Sequence, residues 1–354
     1  MIAYFPDFYP DELLYSLLSR YYTKSGHLAY TYAAEELFVS KTVRPDMEFV
    51  NVFTPDALSM ITRDMSMEDV VLHHTMFPYY GRFLPLERRQ KAFQALVSMQ
   101  GNYHNLLPIP KSKEKSIRCL RYCPLCAEIN RREYGETFWH RTHQMIGLAA
   151  CPVHGCYLMD SSVIIGGNTP PMLKSAEEVI PSSEAVTMAL EIEHRIVVYM
   201  GEVFRADVDM KSDVAVGQFF HSRMANTKYR SVRGEQRNIR LFHSDFTEFY
   251  QELSDNRFTE LWQIQKVMTN DRINFNEICL LALFMNIPAS ELCNMKISEK
   301  SQQQLFDEEV YRLHNQGLKY PGSDEDRNVN TGVTLLCIPA IAAAAGIVIS
   351  RKRK

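Results

Sequence analysis

The chain has 354 residues, a formal net charge of −3, 46% hydrophobic residues and 23% charged residues. This length suits two or three domains, and the composition is that of a globular protein, which excludes a disordered chain. Because the chain as a whole is not a polycation, any contact with nucleic acid must come from local basic segments.

Cysteine usage indicates the compartment. Residues 1–14 lack the basic segment and apolar run of a secretory signal, and the chain has eight cysteines. In a protein that is not exported, clustered cysteines are more often metal ligands than disulfides. We therefore expect a cytoplasmic protein.

Apolar residues at helical spacing dominate the first hundred residues. They predict a helix over 11–24, with Pro10 in its first turn and Gly26 at its end, and a second helix over 31–39. Two short helices this close are compatible with a helix-turn-helix or with plain packing in a bundle. We expect a helical N-terminal domain over 1–110, with helix-turn-helix character as the functional alternative.

Two short turns rich in metal-ligand residues follow a polar connector at 104–118. Cys123 and Cys126 form one pair, Cys151 and His154 the other, and each pair is separated by two residues that begin with proline. This gap lets a tight turn aim both side chains at one ion. Three thiolates and one imidazole fill a tetrahedral Zn²⁺ site and leave no position for a catalytic water. The sequence therefore predicts a structural zinc in a module over 111–165.

Four further candidate ligands lie in the same segment: Cys119, His140, His143 and Cys156. Either these four form a second metal site, or His140 and His143 pack with Trp139 against the first site and hydrogen-bond its ligands. Cys119 is also an alternative to Cys123 as a ligand, although its three-residue gap to Cys123 is less usual.

A helical domain is expected over 166–320, because helical periodicity returns at 184–204 and 244–268. Residues 275–285, a turn at 286–288 and a helix from 290 to 295 form a second helix-turn-helix candidate, with a hydrophobic bundle corner as the alternative. The fold class expected for the whole chain is mainly α.

A basic segment precedes that candidate and is opposed only by Glu235. Its members are Arg223, Lys228, Arg230, Arg233, Arg237 and Arg240. Such a cluster suits contacts to DNA phosphates or to a protein partner, although solvated surface is the plain alternative. A second cluster, over 111–121, lies just before the metal-ligand turns.

The end of the chain, residues 321–354, is of uncertain role. Residues 332–350 are uncharged and apolar, and four basic residues follow. This pattern is compatible with a membrane tail, a buried helix or a foreign remnant. Without an export signal, membrane attachment is not expected.

No signature of nucleotide binding or metal-dependent hydrolysis is present in the sequence: it contains no G-x-x-x-x-G-K-[ST], no H-E-x-x-H and no G-x-G-x-x-G. No H-x-E element precedes the cysteines, as a zinc deaminase would require. We therefore expect a protein that is not an enzyme.

The motifs closely resemble those of the TniQ/TnsD family. The matching segments are LRYCPLC at 120–126, YGETFWHRTHQ at 134–144, CPVHG at 151–155, PDELLYSLLSR at 10–20 and HTMFPYY at 74–80. The resemblance is specific over roughly residues 5–160 and looser over roughly 185–300.

This resemblance implies an adaptor that selects the target site for a DNA transposon. Family members recognise target DNA directly or through a guide-RNA Cascade complex, and then recruit a TnsC-type AAA+ ATPase that brings the transposase. The family's zinc ligands correspond to Cys123, Cys126, Cys151 and His154 of this chain. The resemblance is also compatible with a homodimer. The alternative is a zinc-containing, sequence-specific DNA-binding regulator unconnected with transposition.

Overall fold

The computed structural model describes residues 2, 4–110, 118–166, 171–224, 227–229, 236–253, 260–269 and 274–295. The chain divides into two compact units, Met1–Lys211 and Ser212–Lys354. Within the described ranges the fold is mainly α with one two-stranded sheet, which confirms the predicted fold class. The expected boundaries near 110 and 165 lie inside the first unit, and the segment 321–354 lies outside the described residues.

The helices and strands of the first unit surround the metal-ligand turns. Its helices are α1 Leu14–Ser25, α2 Tyr30–Leu37, α3 Pro55–Ile61, α4 Met67–His74, α5 Phe77–Gly81, α6 Leu86–Val97, α7 Tyr103–Leu106, α8 Pro124–Tyr134, α9 Ala176–Val179 and α10 Glu191–Arg205. The strands are β1 Arg118–Tyr122 and β2 Met159–Ile165, and a 3-10 turn covers Thr142–Gln144. The two strands pair antiparallel, with Tyr122 opposite Met159 and an irregularity between Cys119 and Arg121.

Helix α1 begins three residues later than the sequence predicts. Asp11 has φ 59°, a left-handed conformation that excludes it from a helix. Its carboxylate instead accepts hydrogen bonds from the backbone and side chain of Thr142. The predicted end at Gly26 is confirmed, because this residue caps the helix with φ 75°.

Helix α2 presents an acidic outer face. Ala33, Ala34 and Leu37 are buried, whereas Glu35 is exposed and Glu36 partly exposed. The helix has no Lys or Arg. Carboxylates on the outer face would repel DNA phosphates, so this arrangement favours plain packing over a helix-turn-helix reading for α1 and α2.

The segment before the 3-10 turn is joined to the start of α1. Leu13 N donates to the carbonyl of Trp139 at 3.0 Å, and Trp139 N donates to Ser16 Oγ at 3.0 Å. The Trp139 ring is fully buried, and its Nε1 donates to the carbonyl of Lys174. The start of α1 and the segment between the two metal-ligand turns therefore share one core.

The second unit has an aromatic core. Its described helices are α11 Val216–Met224, α12 Gln236–Phe249, α13 Leu261–Met268, α14 Phe275–Phe284 and α15 Ala289–Cys293. Phe242 and Phe246 on α12 and Tyr250 directly after it are spaced four residues apart and are all buried. The ring centroids of Phe246 and Phe284 lie 5.4 Å apart.

The turn between α14 and α15 has the geometry that its sequence predicts. Asn286 adopts φ 54°, the left-handed conformation that asparagine tolerates. Helix α15 is only five residues long, however, and its Glu291 carries negative charge. This short helix offers little for reading a DNA groove.

None of the helices in the described part of the chain combines the length and apolar character needed to cross a bilayer. The apolar stretch at 332–350 lies outside those residues.

Candidate metal centre

The first ligand turn is built on the start of a helix. Cys123 is the N-cap of α8, in an extended conformation, and Pro124 occupies the first helical position, where its missing N–H costs nothing. Cys126 lies on the first turn of the same helix, so its backbone N–H points back at the Cys123 sulfur, 3.4 Å away. This geometry brings both thiols to the same end of α8.

The second ligand turn is closed by backbone hydrogen bonds. Cys151 N donates to the carbonyl of Cys156 at 2.8 Å, and Gly155 N donates to the carbonyl of Cys151 at 2.9 Å. Gly155 has φ 66°, which a residue with a Cβ adopts only with strain. Val153 N lies 3.4 Å from the Cys151 sulfur and donates to it. In each turn, therefore, a backbone N–H stabilises negative charge on a thiol.

The four predicted ligand side chains lie together. The sulfurs of Cys126 and Cys151 are 3.7 Å apart, and His154 Nδ1 lies 3.5, 3.3 and 3.7 Å from the sulfurs of Cys123, Cys126 and Cys151. All four ligand atoms lie within 4.8 Å of one another, and the three cysteines are buried. This cluster can hold a metal ion.

The packing of three thiols in one buried cluster makes a cation at this position favourable. Hydrogen bonds with Cys123 and Cys151, together with burial, raise the pKa of the Cys126 thiol. Hydrogen bonds from Cys123 and Cys126 lower the pKa of Cys151, because the two neighbours act as donors to it. Three thiols in contact cannot all ionise without a counter-charge. A divalent cation supplies that charge and releases the protons.

Two of the four additional candidate ligands surround this cluster. His143 Nε2 lies 3.7 Å from the Cys126 sulfur and 3.6 Å from the Cys151 sulfur, and the Cys156 sulfur lies 3.3 Å from that of Cys123. His143 Nδ1 is buried and finds no hydrogen-bond partner among the described residues. Both residues can donate hydrogen bonds to ligand thiolates, a role that orients such ligands.

The other two candidates point elsewhere. Cys119 lies on β1, where burial and the Asp160 carboxylate raise the pKa of its thiol. His140 Nε2 accepts a hydrogen bond from Asn130 at 2.8 Å, and its Nδ1 faces Asp11 at 3.8 Å. Within the described ranges the four residues do not form a second metal site.

Asp11 is a functional neighbour that sequence reasoning missed. Burial acts to raise the pKa of its carboxyl, but the nearby His140 imidazole, the charge of Arg141 and the hydrogen bond from Thr142 prevail and hold that pKa below its usual range. The ionised Asp11 thus fixes the segment that carries His140 and His143. A positive φ in an Asp is not visible in a helical pattern.

Ion pairs already occupy two members of the basic segment at 223–240. Arg223 pairs with Glu291, and Lys228 lies 2.5 Å from the Asp245 carboxylate. Arg240 is exposed on α12. Arg230 and Arg233 lie outside the described residues, as does the side chain of Arg237.

The cluster before the first ligand turn is mainly structural where it is described. Arg118 pairs with Glu48 at 2.5 Å, and Arg121 donates to the carbonyl of Met145 at 2.6 Å. Residues 111–117 lie outside the described ranges. The described arginines stabilise the first unit and are not presented as a phosphate-binding surface.

Most of the first unit is similar in sequence to known proteins. The sequence model of the TniQ family matches residues 3–158. The transposon Tn7 transposition protein TnsD of Escherichia coli is 30% identical over 158 residues, which are 43% of this chain and 30% of that protein. The match to this relative therefore covers less than a third of the relative's length. Both metal-ligand turns lie within residues 3–158, which the family model matches.

Proposed function

From the TniQ domain that residues 3–158 form, we propose that this protein selects target sites for a transposon as a non-enzymatic adaptor. It links target DNA to a TnsC-type AAA+ ATPase and, through it, to a transposase. The observation that carries the proposal is the family match, which extends from the first helix through all four metal ligands. The similarity to a transposition protein supports the same conclusion.

The metal in this proposal is a structural Zn²⁺ held by Cys123, Cys126, Cys151 and His154. Bonds of about 2.3 Å to sulfur and about 2.0 Å to nitrogen give a tetrahedron with edges of about 3.5–3.8 Å. Four of the six separations between ligand atoms run from 3.3 to 3.7 Å, close to those edges. Soft thiolates favour zinc over magnesium or calcium. With four protein ligands, the ion has no vacancy for a substrate and stabilises the fold.

Contacts to DNA or a partner are assigned to the basic segment, with different roles for its members. The residues that we assign to phosphate contacts are Arg230, Arg233, Arg237 and Arg240. Arg223 and Lys228 contribute less, because Glu291 and Asp245 already neutralise them. Replacing such an ion pair by a contact to a DNA phosphate contributes little binding free energy.

Double charge reversal tests this assignment. Arg230→Glu with Arg233→Glu should reduce the salt dependence of DNA binding, with the slope of log K against log[salt] falling by about 2. The matched control is Lys41→Glu with Lys91→Glu, at two exposed lysines of the first unit. Equal slopes for both double variants, measured by fluorescence anisotropy between low and high salt, would contradict the assignment.

Affinity purification from the native host tests the function itself. An adaptor should co-purify with a TnsC-type ATPase, and Cascade proteins with guide RNA should appear if targeting is guide-directed. Size-exclusion chromatography with light scattering would show whether it acts as a homodimer. Specific DNA binding without any ATPase, in cells that express one, would instead favour a regulator unconnected with transposition.

A further inference from the structure

An extended segment at 186–190 lies beside the second ligand turn. Tyr157 N donates to the carbonyl of Thr187 at 2.9 Å, and Ala189 N donates to the carbonyl of Gly155 at 2.9 Å. Cys156 and Met188 therefore face each other in an isolated antiparallel bridge. The segment is a single strand added to the metal-ligand turn.

The outer edge of this strand is open. Successive residues of a strand direct their backbone N–H and C=O groups to opposite sides. The backbone C=O of Thr187 and the backbone N–H of Ala189 point toward the ligand turn. The backbone groups of Met188, which lies between them, therefore point away from it. Among the described residues, the backbone groups of Met188 have no recorded hydrogen bond. An edge of this kind can pair with another extended chain.

The same strand carries a row of exposed apolar side chains. Val186, Met188 and Leu190 share one face because side chains alternate along a strand. They are 41%, 61% and 48% exposed. Single exposed apolar residues are common on protein surfaces, but a contiguous row next to an open edge is typical of an interaction site.

The charges around the strand define what can pair with it. Glu184 precedes the row, Glu191 and Glu193 follow it, and Arg195 is the nearest Lys or Arg in sequence. In antiparallel pairing of two copies about Met188, Glu184 of one copy would approach the start of helix α10 of the other, which carries Glu191 and Glu193. The acidic ends would then meet, so a second copy fits poorly. A strand with basic ends fits well.

We propose that residues 186–190 are a docking strand for a protein partner. The partner supplies an extended segment with alternating apolar side chains, flanked on both ends by Lys or Arg. Backbone hydrogen bonds at Met188 provide affinity, the apolar row provides side-chain contacts, and the glutamates select basic ends. This surface is independent of the DNA contacts assigned above.

Synthetic peptides test the proposal on the full-length, zinc-loaded chain. One probe has the sequence KKVTVTVKK, and its matched partner EEVTVTVEE differs only in charge. Isothermal titration calorimetry should show at least about tenfold tighter binding of the lysine peptide. Glu191→Lys should narrow this difference, since it replaces a carboxylate beside the strand.

A double variant tests the apolar row. Val186→Ser with Met188→Ser should weaken binding of the lysine peptide at least about tenfold, while Val39→Ser, at another exposed valine, should leave it unchanged. Zinc content and circular dichroism verify that both variants fold. Failure of the lysine peptide to bind, or equal binding of both peptides, overturns the proposal. So does a dimer of the wild-type chain that dissociates in the double variant, because the occupant is then a second copy.

Discussion

The two units of this protein hold their cores together by different means. The first unit is joined by buried polar contacts and by a cluster of three thiols and an imidazole. The described part of the second unit relies on packed aromatic rings of Phe242, Phe246 and Phe284. Hydrophobic packing changes little with pH or metal supply, whereas thiol and imidazole ligands depend on both. The stability of the first unit should therefore depend on pH and on metal supply more strongly than the stability of the second unit does.

The two tryptophans allow this contrast to be measured. Trp139 is fully buried in the first unit, and Trp262 lies on α13 of the second unit with 46% of its surface exposed. The sequence contains no other tryptophan. A Trp262→Phe background therefore makes intrinsic fluorescence a reporter of the first unit alone.

Loss of a ligand should have the largest effect. Cys126→Ala should abolish binding of the metal and unfold the first unit, because zinc contributes about 10–16 kcal/mol of apparent binding free energy in small zinc-dependent folds. Elemental analysis should show one zinc per wild-type chain and none in the variant. In the Trp262→Phe background, emission of Trp139 should shift to the red.

Cys119→Ala is the matched control for that experiment. It removes a thiol from the same segment, but one that lies on β1 and contacts Asp160 rather than the cluster. Zinc content and Trp139 emission should remain those of the wild type. Retention of one zinc by Cys126→Ala, or its loss from Cys119→Ala, would show that the ligand set is different.

Local features of the fold could be predicted from sequence, and distant ones could not. The two-residue gaps of the ligand turns and the turn at 286–288 are decided by neighbouring residues, and they appear in the structure as expected. The partners of Arg223 and Lys228 lie 68 and 17 residues away along the chain. No local pattern reveals such a pair. A run of basic residues therefore indicates positive charge without indicating how much of it is already neutralised.

The same limit applies to the start of α1. Helical spacing predicts a beginning at Asp11, but the side chain of this residue is bound by Thr142, far along the sequence. Tertiary contacts thus override a local preference for the first helical turn. The open strand at 186–190 was missed as well, because its pairing partner is the second ligand turn.

A buried histidine should give the first unit a pH dependence of intermediate size. Burial, acting together with the charge of Arg141, lowers the pKa of His74 to about 4. Its Nδ1 donates to the carbonyl of Glu12 at 2.7 Å, and its ring stacks on Phe8. Below a pH of about 6.5, His74 binds a proton in the unfolded chain but stays neutral in the folded chain. The free energy of unfolding therefore falls as the pH drops toward 4. The full difference is about 3 kcal/mol between pH 7.5 and pH 4.

The contribution of His74 is isolated by a variant, because other groups titrate in the same range. His74→Gln keeps a donor for the Glu12 carbonyl but has no proton to gain. Urea unfolding followed by Trp139 fluorescence should show a pH dependence about 3 kcal/mol smaller for His74→Gln than for the wild type. Identical pH profiles for the two proteins would mean that His74 is charged, or solvated, in the folded state.

The smallest effect is expected at Arg223 in the second unit, where its function can be separated from its structural role. Arg223→Ala removes the ion pair with Glu291. Because both side chains are about a third exposed or more, solvent screens this pair, and the free energy of unfolding should fall by only about 0.5 kcal/mol. Arg240→Ala removes an exposed arginine of the same segment and should leave stability unchanged. DNA binding should respond in the opposite order, with Arg240→Ala the weaker binder. If Arg223→Ala weakens DNA binding more than Arg240→Ala does, then Arg223 contacts the DNA. In that case a DNA phosphate displaces Glu291 from Arg223, and the ion pair regulates DNA binding instead of only stabilising the unit.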